Sequence, residues 1–430
     1  VTVLVRAIAL GFSGGGDSTA LLHALRRAYP RYVLHALIVD HRLRPESGAD
    51  AEHSAAYAQS LGAEPEILRW ASPRKGQGAA RAARHSLLAT ACALKNVSLL
   101  CLAHTLDDRI ETLRMRASRK GSWRTLTGMR VYDPSPVWPE GRGLMLARPF
   151  LEVRRQALRD WLKTLGARWI EDPSNNNSDY ERVRMRARAY DEDAPAERKL
   201  LETSDQSLAA EHLLRALALR LIGRAVQLQN WGGAKLDPAQ FAQAARPVAL
   251  RAMEAVILAA SGQSKGASPR IVEQFLDAVL ERRAQTGAGV LLTAGAMIAR
   301  DPGAVQGRRD GGATPVRLRL GASQTGVFDG RWRIQAARDL YLKGLGETMP
   351  SEMTGLDSIP AVFRPSLTLV CDAATGRARP VLGSGDGNQG HITLLWSDRL
   401  RRWLLPPEPP PWFDRTKPVK FLREALAKSV

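Results

Sequence analysis

Residues 8–19 read IALGFSGGGDST. An apolar β-type run, Ile8 to Leu10, ends at a glycine-rich turn, and a helix-type run, Ala20 to Leu22, begins just beyond it. A helix entered straight from such a turn presents unpaired backbone N–H groups, which together with the helix dipole form an anion site. Gly14, Gly15 and Gly16 can adopt positive φ and let phosphate oxygens approach the backbone, while Ser13, Ser18 and Thr19 add hydroxyl donors. No lysine follows the glycines, so the G-x-x-x-x-G-K-[ST] loop is excluded. Asp17 would repel a bare phosphate, but a Mg²⁺ between the two removes the repulsion, and aspartate is the hard oxygen ligand Mg²⁺ accepts. A helix N-cap role for Asp17 or Ser18, on a helix over Ser18 to Arg27, stays open beside this reading.

Outward from the loop, apolar runs alternate with helical patterns. Tyr32 to Val39 and Ser98 to Ala103 are short enough for strands buried on both faces, with a weaker strand around Glu66 to Trp70. Helical spacing covers Ala49 to Leu61 and Ala79 to Leu94. This alternation predicts a parallel sheet covered on both sides, whose ligands bind beyond the carboxyl ends of its strands. From Ala194 the pattern is continuously helical, and after Gly287 it turns to short β-like pieces rich in glycine, with PPEPPPW at Pro406 to Trp412 as an extended strap. The expected division is 1–193 for a domain carrying the glycine loop, 194–286 for a helical middle domain and 287–430 for a smaller mixed α/β C-terminal domain.

The chain's 430 residues carry 62 Lys+Arg against 43 Asp+Glu, a formal net charge of +19, which favours polyphosphate partners such as nucleic acid. No apolar run has the length of a membrane span, so no membrane partner is expected. The start VTVLVRAIAL reads as a core strand and not a signal peptide, and Val1 in place of Met suggests a trimmed start. Cys92, Cys101 and Cys371 lack Cys-x-x-Cys spacing, which argues against a disulfide framework or structural zinc and fits a reducing cytoplasm.

The string SGGGDS resembles the pyrophosphate-binding loop of the ATP pyrophosphatase, or PP-loop, superfamily. Further blocks follow in order: VDHRLRPES (Val39 to Ser47), AHTLDDRIET (Ala103 to Thr112), LTGM (Leu126 to Met129), RPFLEVRRQAL (Arg148 to Leu158) and WIEDPSNNNSDYERVRMR (Trp169 to Arg186). In this order they are similar to the N-terminal domain of the tRNA(Ile)-lysidine synthetase family. The resemblance implies an adenine-nucleotide α-hydrolase-like fold for an ATP-binding catalytic domain over 1–193, a tRNA-contacting role for 287–430, and a two-step ligation. ATP, with Mg²⁺, would adenylate the wobble cytidine of a minor isoleucine tRNA with a CAU anticodon, and L-lysine would displace AMP. A tRNA thiolase, which would need reactive or cluster-binding cysteines, a small-molecule synthetase and a non-catalytic tRNA-binding relative are the alternatives. A homodimer is also left open.

The resemblance also assigns residues. Ser13, Gly14, Gly15, Gly16, Asp17 and Ser18 would bind ATP, with Arg84 reaching its phosphates. His104, Asp108 and Glu111, at i, i+4 and i+7 and facing nearly one way on a helix beginning near Thr105, would hold lysine and help deprotonate its ε-amine. Arg182 and Arg184 would approach the adenylated intermediate. Asp107, one position off that face, reads as the helix's N-terminal charge. The run Arg114, Arg116, Arg119, Lys120 and Arg124 with Trp123 is either RNA-facing or an exposed basic helix face, and Arg399 to Trp403 and Trp412 with Phe413 repeat the mixture more weakly. The chain departs from the family at Arg42, where Gly is usual, at Val183, where Asn is usual, and at Arg109, where Gln is usual. Arg109 would set a cation beside the lysine pocket unless it points away.

Overall fold

The computed structural model describes residues 6–73, 76–118, 123–171, 194–307, 315–346, 356–387 and 389–427. These form two compact units: residues 1–211 with 407–430, and residues 212–406.

The first unit is built on a six-stranded sheet. Its strands are β1 (Ala7–Gly11), β2 (Val33–Asp40), β3 (Glu64–Arg69), β4 (Leu99–Cys101), β5 (Tyr132–Pro134) and β6 (Met145–Ala147), in the order β3-β2-β1-β4-β6-β5. All neighbours are parallel except the edge pair β5 and β6. Strand β1 is apolar because it lies mid-sheet: Ile8, Ala9 and Leu10 are fully buried, where only aliphatic side chains avoid a desolvation cost. The helices are α1 (Gly16–Ala28), α2 (Ser47–Ser60), α3 (Gln77–Leu94), α4 (Leu106–Ala117) and α5 (Arg155–Thr164). The expected parallel sheet, strands and helices are present, with ends displaced by a few residues. Strands β5 and β6 were not expected.

From β1 the chain runs to β2 and β3 on one side, then crosses to β4 on the other. Order reverses between β1 and β4, so the crevice beyond their carboxyl ends is the natural ligand site of such a sheet. Helices α1 and α4 both start there, just after β1 and β4.

The chain's last helix, Thr416–Ala427, packs on α1 and α5, and Phe413 and Leu422 join the core that contains Leu21, Leu25 and Trp161. Phe413 stacks on Tyr29 at 5.4 Å and Trp412 lies against Tyr32 at 5.2 Å. These aromatics, read from sequence with an RNA-facing mixture, are packing groups here, because folding brings Tyr29 and Tyr32 to meet them.

The second unit has its own core around the helices Arg246–Ser261 and Pro269–Leu280. A five-stranded antiparallel sheet follows the order β7 (Val226–Leu228), β8 (Ala234–Leu236), β11 (Met297–Arg300), β10 (Val290–Leu292), β9 (Gln285–Gly287). The break expected between 286 and 287 falls inside β9, and hydrogen bonding between β8 and β11 joins chain from both sides of it. Two four-stranded antiparallel sheets, over residues 318–380 and 325–394, complete the unit.

Candidate active site

A cavity of about 590 Å³ opens beyond β1, β2 and β4, lined by Ser13, Gly15, Asp17, Ser18, Arg84 and His104 among others. The glycine loop forms one wall. Gly14 has φ +74°, and a Cβ there would lie 2.4 Å from Ser54 Oγ and 2.8 Å from Ile170 Cδ1, so both conformation and space call for glycine. Its carbonyl accepts from Thr19 Oγ1 (3.2 Å) and from the Ile170 amide (2.9 Å). Ser18 Oγ donates to the Gly15 carbonyl (2.9 Å) and accepts from the Ser13 amide (3.3 Å). The Ser18 and Thr19 hydroxyls, expected as phosphate donors, therefore brace the loop.

Gly15 stands at the N-cap of α1, and among the described residues no side chain caps the helix. The N-cap role considered for Asp17 or Ser18 is not taken. The first amides of α1 thus face the crevice without a side-chain partner, the arrangement that binds anions. Asp17, in the first turn, lines the cavity with its side chain 26% exposed. Burial raises its carboxyl above the usual aspartate range, and Arg155 offsets part of that rise.

The front of α4 is arranged differently. Thr105 is the N-cap, and the Asp108 amide donates to Thr105 Oγ1 (3.4 Å). In return the Thr105 amide (2.9 Å) and hydroxyl (3.0 Å) donate to Asp108 Oδ2, a capping box that closes the helix with its own side chains. Burial opposes ionisation of Asp108, but the Arg155 charge and the Thr105 bonds together hold its carboxyl below the usual value. It therefore supplies charge and is a weak proton acceptor.

His104, one residue before the cap, is held neutral by burial and by the charges of Arg148, Arg84 and Arg81, with Asp108 pulling the other way. Its buried Nδ1 has no hydrogen-bond partner among the described residues. Lining the cavity, it can accept a hydrogen bond from a ligand cation. Glu111, one turn on from Asp108, is 4% exposed.

Sequence reading missed Arg155, the first residue of α5. Its Nε donates to Asp17 Oδ2 (3.0 Å), its Nη2 to Asp108 Oδ1 (2.8 Å), and its Nη1 lies 3.7 Å from Glu111 Oε1. Its backbone amide donates to Asp107 Oδ2 (2.7 Å). Asp107 therefore stands in the first turn of α4, as expected, and also caps α5. The only sequence sign of this hub was the arginine pair in EVRRQAL, far along the chain from both partner helices.

The structure brings Asp17, His104, Asp108, Glu111 and Arg84 to one end of the sheet. Arg84, on α3, lines the cavity, and its charge reaches His41 and His104. Arg182 and Arg184 lie outside the described residues, as do Arg119, Lys120 and Val183. Arg114 pairs with Glu197 (3.2 Å), Arg124 with the buried Glu211 (3.2 Å), and Arg116 donates to the Thr125 and Gly128 carbonyls. These three are occupied within the protein, while Trp123 is 44% exposed. Arg109 pairs with Asp205, which is not one of the carboxylates gathered on Arg155. Arg42 has φ +52°, a left-handed conformation that accounts for the usual glycine there.

Among the described residues no three His, Cys, Asp or Glu side chains group as a metal site. A cation beside Asp17 would therefore be shared with ligand oxygens, and a lone carboxylate next to an anion-binding helix end suits that arrangement. All three cysteines are buried, and burial pushes the Cys92 thiol up to about 12 and the Cys101 thiol upward as well. Neither of these two is a thiolate at neutral pH, which removes the main support for thiolase chemistry.

An anion-binding glycine loop opening a helix, at the switch point of a parallel sheet, defines a protein of the PP-loop class. The family model for the PP-loop domain matches residues 3–192. The tRNA(Ile)-lysidine synthase of Caulobacter vibrioides is 35% identical over 403 residues, covering 90% of this chain and 86% of that protein. That of Ruegeria pomeroyi is 33% identical over 356 residues (79% of this chain, 80% of that protein), and that of Hyphomonas neptunium 48% over 181 residues (42% and 49%). Among solved structures, the U34-tRNA thiolase NcsA from Methanococcus maripaludis superposes with a TM-score of 0.38 at 16% identity, over 49% of this chain and 74% of that one. The chain belongs to the tRNA(Ile)-lysidine synthase family.

Proposed function

We propose that this chain is a ligase that uses ATP to adenylate the C2 oxygen of the wobble cytidine in a minor isoleucine tRNA with a CAU anticodon, and then joins L-lysine to that carbon. The C2 oxygen attacks the α-phosphorus and pyrophosphate leaves. The lysine ε-amine then attacks C2, AMP departs, and lysidine remains.

The observation that carries this reading is the uncapped front of α1 beside a cluster of carboxylates at the front of α4, in a chain of this family. The α1 amides stabilise charge growing on the leaving pyrophosphate, and Arg84 adds a permanent cation from α3. Asp17 is the residue suited to hold Mg²⁺, which when bound neutralises phosphate charge. Asp108 and Glu111 supply negative charge for the lysine ammonium, and neutral His104 accepts a hydrogen bond from it, orienting the amine for loss of its proton. The +19 net charge draws the tRNA in, and action on tRNA locates the enzyme in the cytoplasm.

Incubating a tRNA(Ile) transcript bearing CAU with ATP and isotope-labelled lysine, then analysing nucleosides by mass, tests the proposal. A labelled cytidine derivative formed together with AMP is expected. Unmodified cytidine, or a sulfur-bearing nucleoside, would overturn it.

A further inference from the structure

The two halves of the proposed centre lie on different helices, and both halves are acidic. Asp17 on α1 and Asp108 on α4 both accept hydrogen bonds from one guanidinium, that of Arg155, at 3.0 and 2.8 Å. A cation shared between two carboxylates offsets the cost of holding them close together.

We propose that Arg155 is the positioning residue that sets the spacing between the ATP half and the lysine half of the centre. This deepens, and rests on, the ligase reading above. Four contacts from one residue support it. The backbone amide of Arg155 is fixed to Asp107, and its guanidinium reaches Asp108 and Glu111 on α4 and Asp17 on α1. Three of these partners belong to the first two turns of α4, so α5 begins as a clamp on that helix and extends one arm to the phosphate loop. The cluster is mostly enclosed, with side-chain exposures of 18% for Arg155, 18% for Asp108 and 5% for Glu111.

The chemistry of the fork explains the choice of arginine. A guanidinium directs its donors at fixed angles in one plane, so hydrogen-bonding Asp17 and Asp108 also sets their relative positions, with Glu111 held by charge at 3.7 Å. A lysine ammonium would supply the charge without the geometry. Transfer needs the C2 carbon of the adenylated base, held from the α1 side, within reach of an amine held from the α4 side, and small errors in such placement are costly.

The test is single-turnover kinetics on the intact enzyme with tRNA(Ile) transcript. Pyrophosphate release without lysine reads the first half, and lysidine formation against lysine concentration reads the second. Arg155→Met is expected to slow both maximal rates by ~100-fold while KM for ATP and for lysine moves less than ~3-fold, and Arg155→Lys to recover no more than about a tenth of the loss. Burst amplitude per folded enzyme stays whole, since every site forms and each reacts slowly. Should Arg155→Met not fold, Arg155→Lys supplies the same test, because it keeps the charge and loses the fork. The proposal is overturned if Arg155→Lys restores wild-type rates, if only one half slows, if lysine KM falls, or if amplitude drops while the rate holds. Failure of the ligase reading is separate, since the wild-type enzyme would then form no lysidine at all.

Discussion

Helices α1 and α4 leave the same end of the same sheet from neighbouring parallel strands, yet their first turns are chemical opposites. The front of α1 has glycine at its N-cap and, among the described residues, no capping side chain, and Gly15, Asp17 and Ser18 line the cavity. The front of α4 is closed by Thr105 and Asp108, which satisfy each other's donors, and its remaining character is negative charge. One helix end is left open for an anion and the other is filled so that carboxylates can face a cation. The pair teaches that identical backbone positions at a switch point are given opposite electrostatic character by a few side chains.

That contrast can be broken from either end. Asp17→Ala removes the acidic group at the open end and is expected to lower AMP formation by ~1000-fold, with tRNA affinity changed less than ~3-fold. Filter binding alongside AMP quantification checks this, and unchanged AMP formation would refute the role given to Asp17. At the closed end, Glu111→Ala is expected to cut kcat/KM for lysine by ~100-fold while ATP use changes far less, since the proposed role of the carboxylate is to hold the amine. Equal losses for both substrates would place Glu111 outside the lysine pocket.

Smaller effects sharpen the comparison. Gly14→Ala puts a Cβ against Ser54 and Ile170 at a left-handed backbone position. A cost of about 2 kcal/mol is expected, seen as weaker ATP binding in calorimetry as the loop shifts. Thr105→Ala opens the capping box and should lower stability by ~1 kcal/mol in urea titration. Arg109→Gln should be nearly silent in lysine KM, with stability changed by less than about 1 kcal/mol, because its ion pair is with the exposed Asp205 and not with a carboxylate gathered on Arg155.

Much of this contrast was legible in the sequence. The triple glycine between an apolar run and a helical run announced the open helix end. The spacing of His104, Asp108 and Glu111 placed acidic groups on one face after β4. Strands β5 and β6 were not legible, since three-residue strands carry no periodic signal. Arg155 escaped because its partners come from remote parts of the chain, and two adjacent arginines read equally well as surface charge. The Ser18 hydroxyl was credited with binding phosphate because composition does not reveal that Gly15 and Ser13 claim it first. Trp412 and Phe413 read as exposed for the same reason: their partners Tyr29 and Tyr32 meet them only through tertiary folding.

The most direct measurement is a crystal structure with a non-hydrolysable ATP analogue. The account predicts the β- and γ-phosphates within hydrogen-bond reach of the backbone amides of Gly15 to Ser18, with the α-phosphorus facing the His104 side of the cavity. Phosphates seated elsewhere, or a triphosphate drawn to the front of α4, would contradict it.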